Sequence, residues 1–147
     1  MENLRVILLK MHDSMVELEA ILTEEMNQLA RPQINPVSLQ IISDTKSRLL
    51  STIGYYDEMR VQEEHSLNLA APYEAHKAFA ALWKNITQHA RDANELNKKI
   101  ATLLEMHMQK TNDLKKMVNQ ADNRISTYSA DGSSRQTTSG KIYNISI

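Results

Sequence analysis

The chain has 147 residues, a formal net charge of -1, 41% hydrophobic residues and no cysteine. That length makes one domain with a modest core. The near-neutral balance gives no electrostatic footprint for nucleic acid or anionic lipid, and the missing thiols exclude disulfides, zinc–thiolate sites and cysteine nucleophiles.

The first predicted element is a helix from about Glu2 to Ala30. Leu4, Leu8, Met11, Met15, Leu18, Leu22, Glu25 and Leu29 follow a 4-3 spacing, a heptad seam interrupted once by Glu25. Ile7 and Ile21 widen the apolar face. The run Val6-Ile7-Leu8-Leu9 lies between Arg5 and Lys10, too short for a signal peptide or a membrane span, so the expected location is the cytoplasm. Arg31-Pro32 ends the helix, because proline lacks a donor and biases the residue before it away from helical geometry.

A second helix is predicted from about 37 to 70, starting near Pro36 or Ser38. Its stripe is Leu39, Ile42, Lys46, Leu49, Ile53, Tyr56 and Arg60. Gly54 sits inside it at a cost of ~1 kcal/mol relative to alanine. The short connection makes helices one and two an antiparallel hairpin. In such a hairpin Glu25 and Lys46 come to similar heights. Two readings stand: a cross-hairpin ion pair that fixes register, or two side chains that each reach solvent alone.

Ala71-Pro72 breaks the chain, and a third helix is predicted over about 73–120. Phe79, Trp83, Ile86, Ala90, Ala93, Asn97, Ile100, Leu104, His107, Thr111, Leu114 and Val118 continue one 4-3 pattern with no proline or glycine between. At 1.5 Å per residue this helix reaches ~70 Å, against ~42 Å for the first. It must overhang the hairpin or bend back. Its last part, with Met106, Met108, Leu114, Met117 and Val118, lacks an obvious intramolecular cover. That stripe suits a partner helix or a second copy of the chain. Asn97 on this seam reads as a register device and His107 as a partly buried structural histidine.

From residue 122 the text turns polar, and two of the three glycines, Gly132 and Gly140, fall there. Residues 122–147 therefore read as a flexible tail behind a helical unit spanning 1–121. Lys141–Ile147 is the one run with strand character, and Ile142, Ile145 and Ile147 could add a strand to a partner's sheet edge.

No chemistry emerges. The five histidines are His12, His65, His76, His89 and His107, and none follows a glutamate by three residues as a di-iron bundle requires. His76 lacks the lysine-glycine of a phosphotransfer motif. Glu24-Glu25 and Glu63-Glu64 are neighbours that do not converge on one helix face. No catalytic residue, metal ligand or cofactor is assigned, and the chain does not read as an enzyme.

With these elements laid out, the chain resembles the FlgN family of flagellar export chaperones. The second helix carries Leu39-Gln40-x-Ile42-x-x-x-Lys46-Ser47-x-Leu49-Leu50, then Arg60, similar to the family's lysine and double leucine. Glu25 stands where the family has a glutamate. Trp83 and Asn94-x-x-Asn97-x-x-Ile100 resemble the third-helix pattern. Tyr128-Ser129-Ala130-Asp131-Gly132 and the closing Gly140-Lys141 and Ile145-Ser146-Ile147 resemble tail signatures of enterobacterial-type members. The chain departs from the family in a longer tail between Gly132 and Gly140 and in extra residues near Ala101–Met108.

The resemblance implies an all-α fold, an antiparallel hairpin plus a long third helix with a flexible tail. It implies a cytoplasmic chaperone for the C-terminal helical segments of the hook–filament junction (hook-associated) proteins. Such a chaperone prevents early assembly and delivers its cargo to the export gate. Carried over, cargo meets Ile100, Leu104, Met108, Leu114, Met117 and Val118. Tyr128 docks on the cytoplasmic domain of the export-gate membrane protein, and the export ATPase complex is a further candidate partner. The rival reading is a homodimeric structural or regulatory coiled coil without cargo. In either case Tyr128 could instead pack back on the bundle.

Overall fold

The computed structural model describes the backbone of residues 1–128 and the side chains of residues 1–125. The chain forms three helices, α1 (Glu2–Leu29), α2 (Pro36–Leu67) and α3 (Lys77–Tyr128), with no strand among the described residues. The all-α hairpin with a long third helix is thus the observed architecture.

The seam of α1 is its buried face: Leu4, Leu8, Met11, Leu18, Leu22, Glu25 and Leu29 are all closed off from solvent. α1 packs against both other helices, while the backbones of α2 and α3 stay further from one another. Contacts fix the directions. Leu4 and Leu8 near the start of α1 share a core cluster with Phe79 and Ile86 near the start of α3. Leu18, Leu22 and Leu29 share a second cluster with Leu39, Ile42, Leu49, Ala93 and Ile100. α1 therefore runs antiparallel to α2 and parallel to α3. Full burial of each leucine stabilises the fold by roughly 1.5–3 kcal/mol.

Local signals set the ends of the helices. Beyond Leu29 the chain turns through Arg31 and Pro32, and the Ala30 N–H still closes on Met26 O at 3.0 Å. Asn35 caps α2: its side-chain oxygen accepts from the N–H groups of Val37 and Ser38, both at 3.2 Å. Pro36 occupies the first helical position, where its missing donor costs nothing. Asn68 ends α2 in the left-handed conformation, φ 54°, a role asparagine tolerates.

α3 departs from expectation at both ends. It begins at Lys77, not 73, because Tyr73 adopts φ 61° and carries the chain through a turn before the helix starts. A bulky residue rarely takes this backbone region. Tyr73 is held there by burial of its ring, which meets Phe79 and Trp83 edge-on at 6.0 and 5.9 Å. At the other end, residues 122–128, read from composition as tail, continue α3. They contain no glycine or proline to stop it. The segment Lys141–Ile147 and its isoleucines lie outside the described residues.

Candidate partner-binding surface

The parallel packing of α1 and α3 ends at His107. Its Nε2 lies 2.6 Å from the carbonyl oxygen of Leu29, the last residue of α1. Helix ends leave their last carbonyls unpaired, and the imidazole N–H donates to one of them. From there neither α1 nor α2 accompanies α3. Its 52 residues measure about 78 Å against about 42 Å for α1. The stretch from His107 to Tyr128 overhangs the hairpin tip by about 30 Å.

The face that meets the hairpin lower down continues along this overhang. Val118 follows Ile100 by about five turns at 3.6 residues per turn and so points the same way. Ile100 is fully buried, while Leu114 is 53%, Met117 65% and Val118 49% exposed. Met106, Met108 and Ile125 are also exposed. A groove of about 200 Å³ lined by Leu29, Arg31, Leu103, Met106, His107 and Lys110 joins this surface to the hairpin tip. Exposed apolar side chains gathered on one helix face are a common feature of protein-contact surfaces.

The residues assigned to cargo from the sequence thus fall into two groups. Ile100 belongs to the hairpin core, and Leu104 is half-buried against the same cluster. Neither is free to form the centre of an interface while the bundle is folded. Met108, Leu114, Met117 and Val118 lie beyond the hairpin and are exposed. Tyr128 closes α3, and its side chain lies outside the described residues.

The three seam residues also have definite places. Lys46 Nζ sits 2.9 Å from Glu25 Oε2 and donates to Glu25 Oε1 at 3.2 Å, with both side chains buried. Of the two sequence readings, the cross-hairpin pair is the one observed. Asn97 is half-buried on α3 beside Lys46, Leu18 and Leu22, in a groove of about 220 Å³ between α2 and α3. Its buried Oδ1 has no hydrogen-bond partner among the described residues.

Sequence reading missed the network at the opposite end. Arg60 lies over the Trp83 ring at 4.5 Å, pairs with Asp57 at 3.0 Å and contacts Glu64, which also accepts from the Tyr73 hydroxyl. Burial, and the hydrogen bond to Glu64, push the Tyr73 hydroxyl up to about 12. Burial works against the charge on Arg60, but Tyr73, Asp57 and Glu64 outweigh it, and the pKa of the guanidinium is raised. This network welds the second connection to the bundle, away from the overhang. The helical spacing from Asp57 to Arg60 to Glu64 was a visible signal; the approach of Tyr73 was not.

No described helix is long and apolar enough to cross a membrane.

A sequence model described as "FlgN protein" matches residues 1–136. The chain belongs to the FlgN family. Three curated relatives carry the name "Flagella synthesis protein FlgN". That of Yersinia enterocolitica is 28% identical over 115 residues, 78% of each chain. That of Salmonella typhimurium is 29% identical over 132 residues, 90% of each chain. That of Escherichia coli is 26% identical over 140 residues, 95% of this chain and 96% of the relative. No solved structure matches. The family match takes in all three helices, the overhang included, so the exposed face lies inside the region that defines membership.

Proposed function

We propose that this chain is a flagellar export chaperone whose overhanging α3 face covers the C-terminal helical segments of hook–filament junction proteins. The observation that carries the reading is the exposed run of Met108, Leu114, Met117 and Val118, continuous in direction with the buried Ile100. An amphipathic cargo helix laid on this face takes the place that the hairpin holds lower down. Such cargo would otherwise expose its own apolar stripe and assemble early. Release at the export gate calls for moderate affinity, and a second weak contact through the tail raises avidity by effective concentration. The resemblance assigns that contact to Tyr128 and the cytoplasmic domain of the export-gate protein, with the export ATPase complex as a further partner. The backbone of Tyr128 closes α3 about 15 Å along the axis beyond Val118, which is compatible with separate contacts for cargo and gate. Nothing in this reading requires catalysis or a cofactor.

The test is co-purification of the chain with the C-terminal segments of the junction proteins, full length against a truncation after Lys110. This cut keeps Ile100, Leu104 and the His107–Leu29 hydrogen bond, so the bundle stays intact. Capture by the full chain and loss on truncation, with Tm unchanged, supports the reading. Equal capture by the truncated chain overturns it. A tight homodimer that buries Leu114 and Val118 and excludes cargo would replace it with the structural coiled coil.

A further inference from the structure

Midway along the α1–α3 contact, four titratable side chains meet: His12 and Glu19 from α1, His89 and Asp92 from α3. His89 Nδ1 lies 2.7 Å from Glu19 Oε1. The rings of His12 and His89 meet edge to face, with centroids 5.2 Å apart and planes at 74°. One ligand atom from each of Glu19, His89 and Asp92 lies within 4.8 Å of the other two. His12 and Glu19 are one heptad, about two helical turns, apart on one side of α1. His89 and Asp92 are neighbours three apart on α3. Parallel packing sets His89 at a height between His12 and Glu19, so one ring reaches both.

We propose that Glu19, His89 and Asp92 form a binding site for one divalent transition-metal ion, zinc by its chemistry, that clips α1 to α3. An imidazole with two carboxylates suits zinc and its neighbours, whereas magnesium and calcium favour oxygen alone. Zinc holds nitrogen and oxygen at about 2.0–2.2 Å, which places tetrahedral ligand atoms roughly 3.4 Å from one another. The His89–Glu19 contact opens slightly to admit the ion, and the exposed Asp92 side chain swings inward from its hydrogen bond with Gln88. Water completes the coordination. The His89 and Glu19 side chains are 29% and 25% exposed, shielded enough to hold their geometry and open enough to be loaded from solvent. The Glu19–His89 hydrogen bond accounts for that pair alone, and the i,i+3 spacing of α3 sets the Asp92 carboxylate within 4.8 Å of both, near enough to close on a shared ion. No local motif announces the site, because each helix supplies only part of the ligand set.

Isothermal titration of the full chain, stripped of metal by a chelator, with zinc chloride and in parallel with magnesium chloride tests the site. One zinc per chain, no magnesium binding and a Tm raised by about 9 °C at a hundredfold excess over Kd are expected. Asp92→Asn, an exposed substitution that leaves the fold intact, weakens zinc roughly tenfold or more. His89→Gln abolishes binding, and His65→Ala, on the exposed end of α2, changes nothing. Zinc binding of equal affinity in Asp92→Asn and His89→Gln, or several weak equivalents without a rise in Tm, would overturn the proposal.

Discussion

Glu25 of α1 and Lys46 of α2 form an ion pair inside the hairpin, 2.9 Å between Nζ and Oε2, with both side chains shut off from solvent. Each charge would be costly there by itself, since removing an ion from water costs several kcal/mol. Leu22, Leu29, Ile42 and Leu49 on the same seams leave the two charges few other partners. A register slip of the hairpin separates them and strands both. Selection against wrong registers is the best-attested role of such polar seam residues.

This gives the first prediction. Glu25→Gln and Lys46→Met each strand one buried charge and cost about 3–5 kcal/mol. The paired replacement Glu25→Gln with Lys46→Met removes both charges and costs far less than the sum. Urea unfolding of the four proteins completes the cycle. Strictly additive losses would show that the two side chains are not coupled.

Tyr73 gives a pH prediction. Its hydroxyl is pushed up to about 12 from an ordinary 10.0, first by burial and then by its hydrogen bond to Glu64. The folded state thus holds this proton more tightly than the unfolded chain. The resulting stabilisation is complete below pH 10 and fades as the pH rises through 12, on the order of 2 kcal/mol across the window. Tyr73→Phe abolishes this part of the alkaline slope. It also costs about 1–2 kcal/mol at neutral pH, because Glu64 loses a donor. Stability measured against pH for both proteins gives the difference directly. Parallel curves between pH 10 and 12 would refute the assignment.

How far these features could be read in advance depends on whether they are local. The Glu25–Lys46 pair was legible because a hairpin with a short loop fixes which seam positions face one another. The end of α1 was legible in Arg31-Pro32. The start of α3 was not, since Tyr73 takes its left-handed backbone only once its ring is buried beside Phe79 and Trp83. Ile100 was assigned to the partner surface because its stripe runs unbroken into Leu114 and Val118. Where core ends and overhang begins is set by the register of α1 on α3, which the heptads leave free. The meeting of Glu19 with His89 depends on that same register.

His107 marks the boundary, and removing it should show. His107→Ala deletes the hydrogen bond to Leu29 O and leaves a carbonyl at the end of α1 without its partner. The expected loss is about 1 kcal/mol, with faster hydrogen exchange in the last turn of α1 and none in the Tyr73 region. A variant as stable as the parent, with unchanged exchange near Leu29, would mean that water replaces the imidazole at no cost.

The overhang yields the sharpest contrast between stability and binding. Leu114→Ser, Met117→Ser and Val118→Ser touch nothing in the bundle, so each should change stability by no more than about 0.5 kcal/mol. Leu22→Ala, by contrast, opens a cavity between α1 and its neighbours and costs about 2–5 kcal/mol. The overhang lacks the packing against α1 that supplies most of the stability of the helix lower down. Amides beyond Thr111 should therefore exchange by local fraying, orders of magnitude faster than those around Ile86 and Ile100. A bound partner helix would cover Leu114 and Val118 and slow that exchange, and the three serine variants would lose the slowing while keeping their Tm. Exchange along the overhang tells the two roles of the α3 stripe apart. If its amides were as protected as the core in a protein shown to be monomeric, the face would already be covered by the chain itself, and a partner-binding surface there could not stand.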